Sequence, residues 1–415
     1  MKKQMRLSKY IYLFFFMLLL SGCWDQKRIE ESAYVVAIGL DKAEEEGKVT
    51  ITYLISNPEY GSQQGGGTTN EPPQEIISFQ TNDLITSKNT ANAVIAKEIT
   101  YDLLSVMIVS EDLAKDEDFA RWMYDATKDR EISRRTSLII TKEKASKFLT
   151  ENKPKQETRA HKYFNNILKH GIKTGFIPKS DLYRYFKIME EDADLFLAVY
   201  GTTETKDQKR SDGEEDQFIA GEFHHEGKTN KTQFLGSAVF KEGKMIGKLT
   251  GEETRHAVTL NDTYNISDFY TTYPDPFDKK YRIATRIKKI KNNDVKMRIK
   301  NGVPTIDVTI PLYVEVLSDH SMVNYAKNSE KRNQLKKYLE KKISNKSNHL
   351  ITKTQEKFKG DPFGWSLIAR KHFTTIPEYE KFGWMKSYPD MKVKVTVKIR
   401  FGEFGRQSEL PEKRD

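Results

Sequence analysis

Residues 306–316 read I-D-V-T-I-P-L-Y-V-E-V and residues 393–401 read V-K-V-T-V-K-I-R-F. Apolar side chains stand at every second position: Ile306, Val308, Ile310, Leu312, Val314 and Val316 in the first stretch, Val393, Val395, Val397, Ile399 and Phe401 in the second. An extended chain points its side chains alternately to two faces, so each stretch predicts a strand with one dry and one wet side. Between them Leu335, Leu339, Ile343, Leu350, Ile351, Thr354 and Phe358 recur at helical spacing opposite a lysine-rich side. That spacing predicts one long helix over about 326–358, lying across the sheet. The fold class expected is α+β, multi-domain, with mixed or mostly antiparallel sheets, each covered by α-helices.

The wet positions of the second half are repeatedly cationic. Arg282, Arg286 and Lys288 flank Ile283 and Ile287; Lys296, Arg298 and Lys300 flank Val295, Met297 and Ile299; Lys392, Lys394, Lys398 and Arg400 alternate with Val393 to Phe401. If the three strands share a sheet, these cations form one basic face. Like charges directly opposite each other disfavour pairing by roughly a few tenths of a kcal/mol per contact unless acids intervene. Two readings stand: a solvated face that resists aggregation, or a surface that meets anionic headgroups or an acidic partner loop.

The first half mixes strands and helices. Tyr34–Leu40 and Val49–Ile55 predict a hairpin across the acidic turn 43–47. Asp83–Ile99 has helical spacing, Leu103–Val109 reads as a buried strand, and Asp116–Asp118 places acids before a helix carrying Phe119, Trp122, Met123 and Ala126. Leu138–Ile140 and Leu195–Val199 are short strands flanking helices over Glu157–Lys169 and Lys179–Glu190. Two polar stretches punctuate the chain: a loop over 57–74 with Gly65, Gly66, Gly67, Pro72 and Pro73, and a charged stretch over 201–217. The expected organisation is an N-terminal α+β region over 23–200, of one or two subdomains, a linker over 201–217, and a C-terminal α+β domain over 218–415 whose last strand covers about 391–401.

The first ten residues carry Lys2, Lys3, Arg6 and Lys9 and no acid, followed by the apolar run Ile11–Leu20. This is a charged segment followed by an h-region too short to span a bilayer, so residues 1–22 read as a cleaved secretory signal. Leu20, Ser21, Gly22 and Cys23 resemble the lipobox of bacterial prolipoproteins, with cleavage between Gly22 and Cys23. Cys23 is the chain's one cysteine. It would carry a covalent diacylglycerol, with or without an N-acyl chain, and two acyl chains hold stably where one holds marginally. No other cofactor is expected. The net charge is +10, and the signal supplies four of these positives, leaving +6 after cleavage. That charge lacks the Arg-rich, aromatic-interleaved form of a nucleic-acid platform.

The residues offer little chemistry. His224 and His225 are adjacent and His161 and His170 are nine apart, spacings that place each pair on opposite faces. Gly227, Lys228 and Thr229 echo a P-loop, but Glu222 stands where its opening glycine belongs. There is no G-x-S-x-G elbow and no outstanding carboxylate pair. Asp361, Pro362, Phe363, Gly364 and Trp365 read as a turn into a helix with aromatics in the core.

Several segments in order resemble the Ger(x)C spore germination lipoproteins: Gly22, Cys23, Trp24 and Asp25 beside the lipid site; Ala37, Ile38, Gly39, Leu40 and Asp41 closing an apolar strand; Arg130 to Leu138; Gly236 to Phe240 with Gly243 to Leu249; Gly251, Glu252, Glu253, Thr254 and Arg255; and Asp361 to Trp365 before the last strand. The resemblance implies three α+β domains and the C subunit of a germinant receptor in an endospore former. It also implies a place on the outer face of the spore's inner membrane beside A-type and B-type integral membrane subunits. No enzymatic activity and no small-molecule substrate are implied, and Cys23 alone carries over as a defined site. The rival reading is a solute-binding lipoprotein of a transporter, which expects two lobes of parallel strands around a cleft.

Overall fold

A computed structural model describes residues 31–56, 74–191, 194–206, 216–300 and 303–404. The expected signal, and the expected loop 57–74 except Gln74, lie outside these residues. The described chain forms two sheets with helices, an α+β architecture as the patterning predicts.

The first sheet has nine strands. β1 (Ser32–Lys42) and β2 (Val49–Ser56) form the expected antiparallel hairpin, with β3 (Gln74–Thr81) on its outer edge. On the other side of β1 run β4 (Glu98–Thr100) and β5 (Val106–Ser110), then β6 (Ser137–Thr141) and β7 (Phe196–Thr202), all parallel. β8 (Gln233–Lys241) and β9 (Lys244–Leu249) close the sheet antiparallel to their neighbours. Helices α1 (Phe119–Lys128), α2 (Ala145–Glu151), α3 (Ala160–Thr174) and α4 (Leu182–Glu191) cover it, α1 and α4 on one face and α2 and α3 on the other. The central strands are therefore buried on both sides and read as near-continuous apolar runs.

The segment Ala37–Asp41 locks α2 onto this sheet. The Asp41 carboxylate accepts from Ala145 N at 2.6 Å and Ser146 N at 3.0 Å, supplying acceptors for the helix N-terminus from a neighbouring strand. Gly39 permits the close approach: a Cβ there would lie 3.1 Å from Leu149 Cδ1 and 3.2 Å from Ala145 Cβ.

The helix expected over Asp83–Ile99 is confined to Ser87–Ala91. Asp83 accepts from Ile85 N and Thr86 N, while Asn92 donates to Lys97 O and accepts from Ile99 N, so local side chains satisfy the backbone on both flanks. Ile99 then joins β4.

The second sheet is built around β13 (Val303–Asp319). Its first half pairs antiparallel with β12 (Asp294–Lys300), and its second half pairs antiparallel with β11 (Arg282–Lys289), beyond which lies β10 (Phe269–Pro274). Pro311 sits at the handover between the two partners, where a central strand can lack a ladder N–H. The other edge of β13 pairs in parallel with β14 (Lys392–Phe404). Parallel pairing requires a crossover. It is supplied by the long helix α6 (Ser329–Lys353), preceded in the chain by α5 (Gly251–Leu260). α6 starts where Asn328 accepts from Lys331 N and continues as a π-helical turn to Phe358. Leu335, Leu339, Ile343 and Leu350 are buried against the sheet's apolar side, each contributing about 1.5–3 kcal/mol.

The charged stretch 201–217, read as a linker, joins two neighbouring strands of one sheet: Thr202 of β7 pairs with Gln233 of β8. Residues 207–215 lie outside the described residues. The resemblance implies three domains. The described residues form three hydrophobic clusters, on the two faces of the first sheet and on the inner side of the second. Leu197, Val239 and Leu249, from β7, β8 and β9, belong to the second sheet's core. Apolar contacts thus run unbroken between the sheets.

α5 fills that junction. Thr250 and Glu253 form a reciprocal capping box at its start. From its middle, the buried Arg255 reaches the carboxylate of Asp216 at 2.5 Å and donates through Nε to Thr174 O at 3.1 Å. The guanidinium lies over the rings of Phe176 and Phe269. Asp216 also accepts from Thr271 Oγ1 at 3.0 Å and, through its carbonyl, from Glu252 N at 2.6 Å. One ion pair therefore ties α3, α5 and β10 together. Arg255→Leu leaves Asp216 buried without its cation, and we expect a loss of about 3–5 kcal/mol in unfolding free energy, read from urea denaturation; a loss below 1 kcal/mol would show that the junction does not depend on the pair.

Candidate interaction surfaces

The cations singled out on β11, β12 and β14 do share a sheet, and those whose side chains are described lie on the side opposite its apolar core. Register explains how it tolerates them. Lys296 of β12 and Lys394 of β14 both align with Asp307 of β13, and Arg298 and Lys392 both align with Thr305. Lys288 of β11 and Arg400 of β14 both align with Tyr313, Arg286 with Glu315, and Lys398 with Pro311. A neutral or acidic row of β13 thus separates the two basic rows, so no cation faces another across these ladders.

The acids are spent on one side only. Asp307 pairs with Arg298, and Arg286 pairs with Asp268 and, at 3.3 Å, with Glu315. Lys296 lies 3.7 Å from Asp294. Arg282 turns aside to bond Thr272. The side chain of Lys300 lies outside the described residues. Among the described residues, Lys392, Lys394, Lys398 and Arg400 of β14 have no ion-pair partner, and all four are exposed. The sequence shows the alternation of these cations but not which acids interleave them, because cross-strand register depends on residues far apart in the chain.

Gly22 and Cys23 lie outside the described residues. Among the described residues no group of three or more His, Cys, Asp or Glu side chains could hold a metal ion, and no helix is long and apolar enough to cross a membrane.

The stretch Asp361–Trp365 is a buried turn at the junction. The Asp361 carboxylate accepts from Phe363 N at 2.6 Å and Trp365 N at 2.9 Å, and its carbonyl accepts from Leu195 N at 2.8 Å. Phe363 and Trp365 lie in the core, their ring centroids 4.6 Å apart. Behind this turn stands Asp194, which composition alone could not pair with Asp361. Burial pushes the Asp361 carboxyl up to about 7, and burial together with the neighbouring Asp361 carboxylate pushes Asp194 well above the ordinary carboxylate range. Raised folded-state values mean that this pair stabilises the fold most below pH 3.8 and loses that contribution as pH climbs towards about 7. Asp194→Asn removes one of the two charges, so its stability relative to the parent should rise between pH 5 and pH 8 by roughly 1 kcal/mol or more. Urea midpoints at the two pH values test this; an unchanged difference would sink the pairing.

Comparison with known proteins adds five findings. A family model described as the spore germination protein N-terminal domain matches residues 25–201, and one described as spore germination B3/GerAC like, C-terminal, matches residues 235–405. Spore germination protein B3 of Bacillus subtilis (strain 168) is 21% identical over 413 residues, covering 96% of this chain and 98% of that protein. Spore germination protein A3 of the same strain is 29% identical over 110 residues, 26% of this chain and 29% of that protein. The crystal structure of the GerBC protein superposes with a TM-score of 0.52 at 16% identity, covering 91% of this chain and 99% of that one, a likeness of fold.

Proposed function

Because the chain belongs to the Ger(x)C family of spore germination proteins, we propose that it is the lipid-anchored C subunit of a germinant receptor, acting by assembly rather than by catalysis. The observation that carries this reading is the ordered pair of family matches, 25–201 and 235–405, starting directly behind the lipobox Leu20–Cys23. The cysteine thiol takes a diacylglyceryl group, and the body sits on the outer face of the spore's inner membrane beside A-type and B-type integral subunits.

Physical chemistry supplies the reason for a tether. Residues 24–31 span at most about 30 Å when extended, so the start of β1 stays within that distance of the bilayer. Confinement to a thin layer raises the concentration of the body near its membrane partners without any new contact, and modest docking affinity then suffices. The solute-binding alternative expects two parallel-stranded lobes. The second sheet is antiparallel apart from β14, which favours the receptor reading.

Cys23→Ala tests the anchor. The variant should incorporate no labelled lipid, leave the membrane fraction in carbonate washes and impair germination; firm retention in the washes would refute the lipid anchor. The purified chain should in addition turn over no peptide, phosphoester or glycan, and a turnover abolished by one point substitution would overturn the non-catalytic reading.

A further inference from the structure

We propose that the outer face of the second sheet, led by Lys392, Lys394, Lys398 and Arg400 of β14, is a docking surface for an anionic lipid bilayer. This deepens the receptor reading: the tether brings the body to the membrane, and this face sets which side of the body meets it.

Four observations carry the assignment. First, β14 is an edge strand whose outward cations run from Lys392 to Arg400, about 26 Å of extended chain. The row is long enough to lie along a membrane surface rather than to grip a single group. Second, those four cations have no ion-pair partner among the described residues, whereas Arg286 and Arg298 on the far side of β13 are neutralised by Asp268, Glu315 and Asp307. The uncompensated charge is therefore concentrated along one edge.

Third, lysines on an edge strand usually serve to prevent strand addition, and here the helix already contributes that protection. α6 packs along β14, and Glu340 of α6 accepts from Ile399 N at 2.8 Å on the edge that β13 does not use. Edge protection alone therefore leaves the four cations unexplained. Fourth, the β13 residues aligned with Lys398 and Arg400 are the neutral Pro311 and Tyr313, and Asp307, aligned with Lys394, is paired with Arg298 of β12. The neutral positions beside Lys398 and Arg400, and the pairing of Asp307 with Arg298, leave the positive charge of the β14 row in excess along this edge. Each cation near an anionic leaflet strengthens binding about fivefold at low screening.

The test uses the chain lacking residues 1–23, which retains every residue of both sheets and all three cores and has no lipid site, so its outcome is independent of whether Cys23 is acylated. Co-sedimentation is measured with vesicles of phosphatidylcholine alone and with vesicles containing phosphatidylglycerol, at low and high salt. Lys394→Glu with Lys398→Glu is compared with Lys337→Glu and Lys341→Glu, which change net charge equally on the exposed side of α6, away from the sheet. We expect binding to the anionic vesicles only, suppressed by salt, weakened more than tenfold by the β14 pair and little changed by the α6 pair. Equal weakening by both pairs would reduce the effect to net charge and overturn the proposal. So would absence of binding to anionic vesicles, including the case in which the same lysines are needed to capture the receptor's integral subunits, which would assign the face to an acidic protein. Thermal unfolding of each variant separates lost binding from lost fold.

Discussion

The buried ion pair between Arg255 and Asp216 is the constraint on which the arrangement of the two sheets depends. Two charges removed from water need each other and further hydrogen bonds to be tolerated. Here part of that need is met by groups from distant parts of the chain, the last carbonyl of α3 and the hydroxyl of Thr271 on β10, with the rings of Phe176 and Phe269 against the guanidinium, while Asp216 Oδ1 and Arg255 Nη2 are buried without a hydrogen-bond partner. Satisfying the pair therefore fixes where the first sheet's helices stand relative to the second sheet. The surrounding apolar contacts, in which Leu197 and Val239 enter the second core, make that position favourable as well as specific.

Around this junction the motifs shared with the spore germination family have structural work to do. Asp41 and Gly39 seat α2 on the first sheet. Thr250 to Arg255 start α5 and supply the central cation. Asp361 folds the buried turn whose carbonyl receives Leu195 N at the entrance to β7. These residues bond to backbone and to one another. The groups left facing solvent, above all the β14 cations, are where a partner or a membrane can be met.

Legibility in the sequence followed burial. β13 and β14 alternate because one face of each is wet, and α6 shows its stripe because one side is lysine-rich, so all three were readable from periodicity. β5, β6 and β7 are buried on both faces, so they show no alternation, and they were readable as strands only as short apolar runs. The over-long helix expected at Asp83–Ile99 fails for a different reason: Asp83 and Asn92 offer the backbone local side-chain partners, and β1 offers Ile99 a strand. The stretch 201–217 reads as a linker because it is charged. Asp216 within it is buried, and nothing in its neighbourhood in the chain announces an arginine thirty-nine positions away.

The sequence by itself determined the α+β class, the antiparallel hairpin at the N-terminal end, the long helix, the cationic alternation and the family, because each is written in residue types a few positions apart. Only the tertiary structure decided that β8 and β9 complete the first sheet, that β14 joins β13 in parallel, that Asp307 and Glu315 divide the basic rows, and that Asp194 meets Asp361. The physical reason is that strand order, register and charge compensation are energies of pairs. A residue's own type sets which face it prefers, while its partner is chosen by how distant parts of the chain close around the three cores.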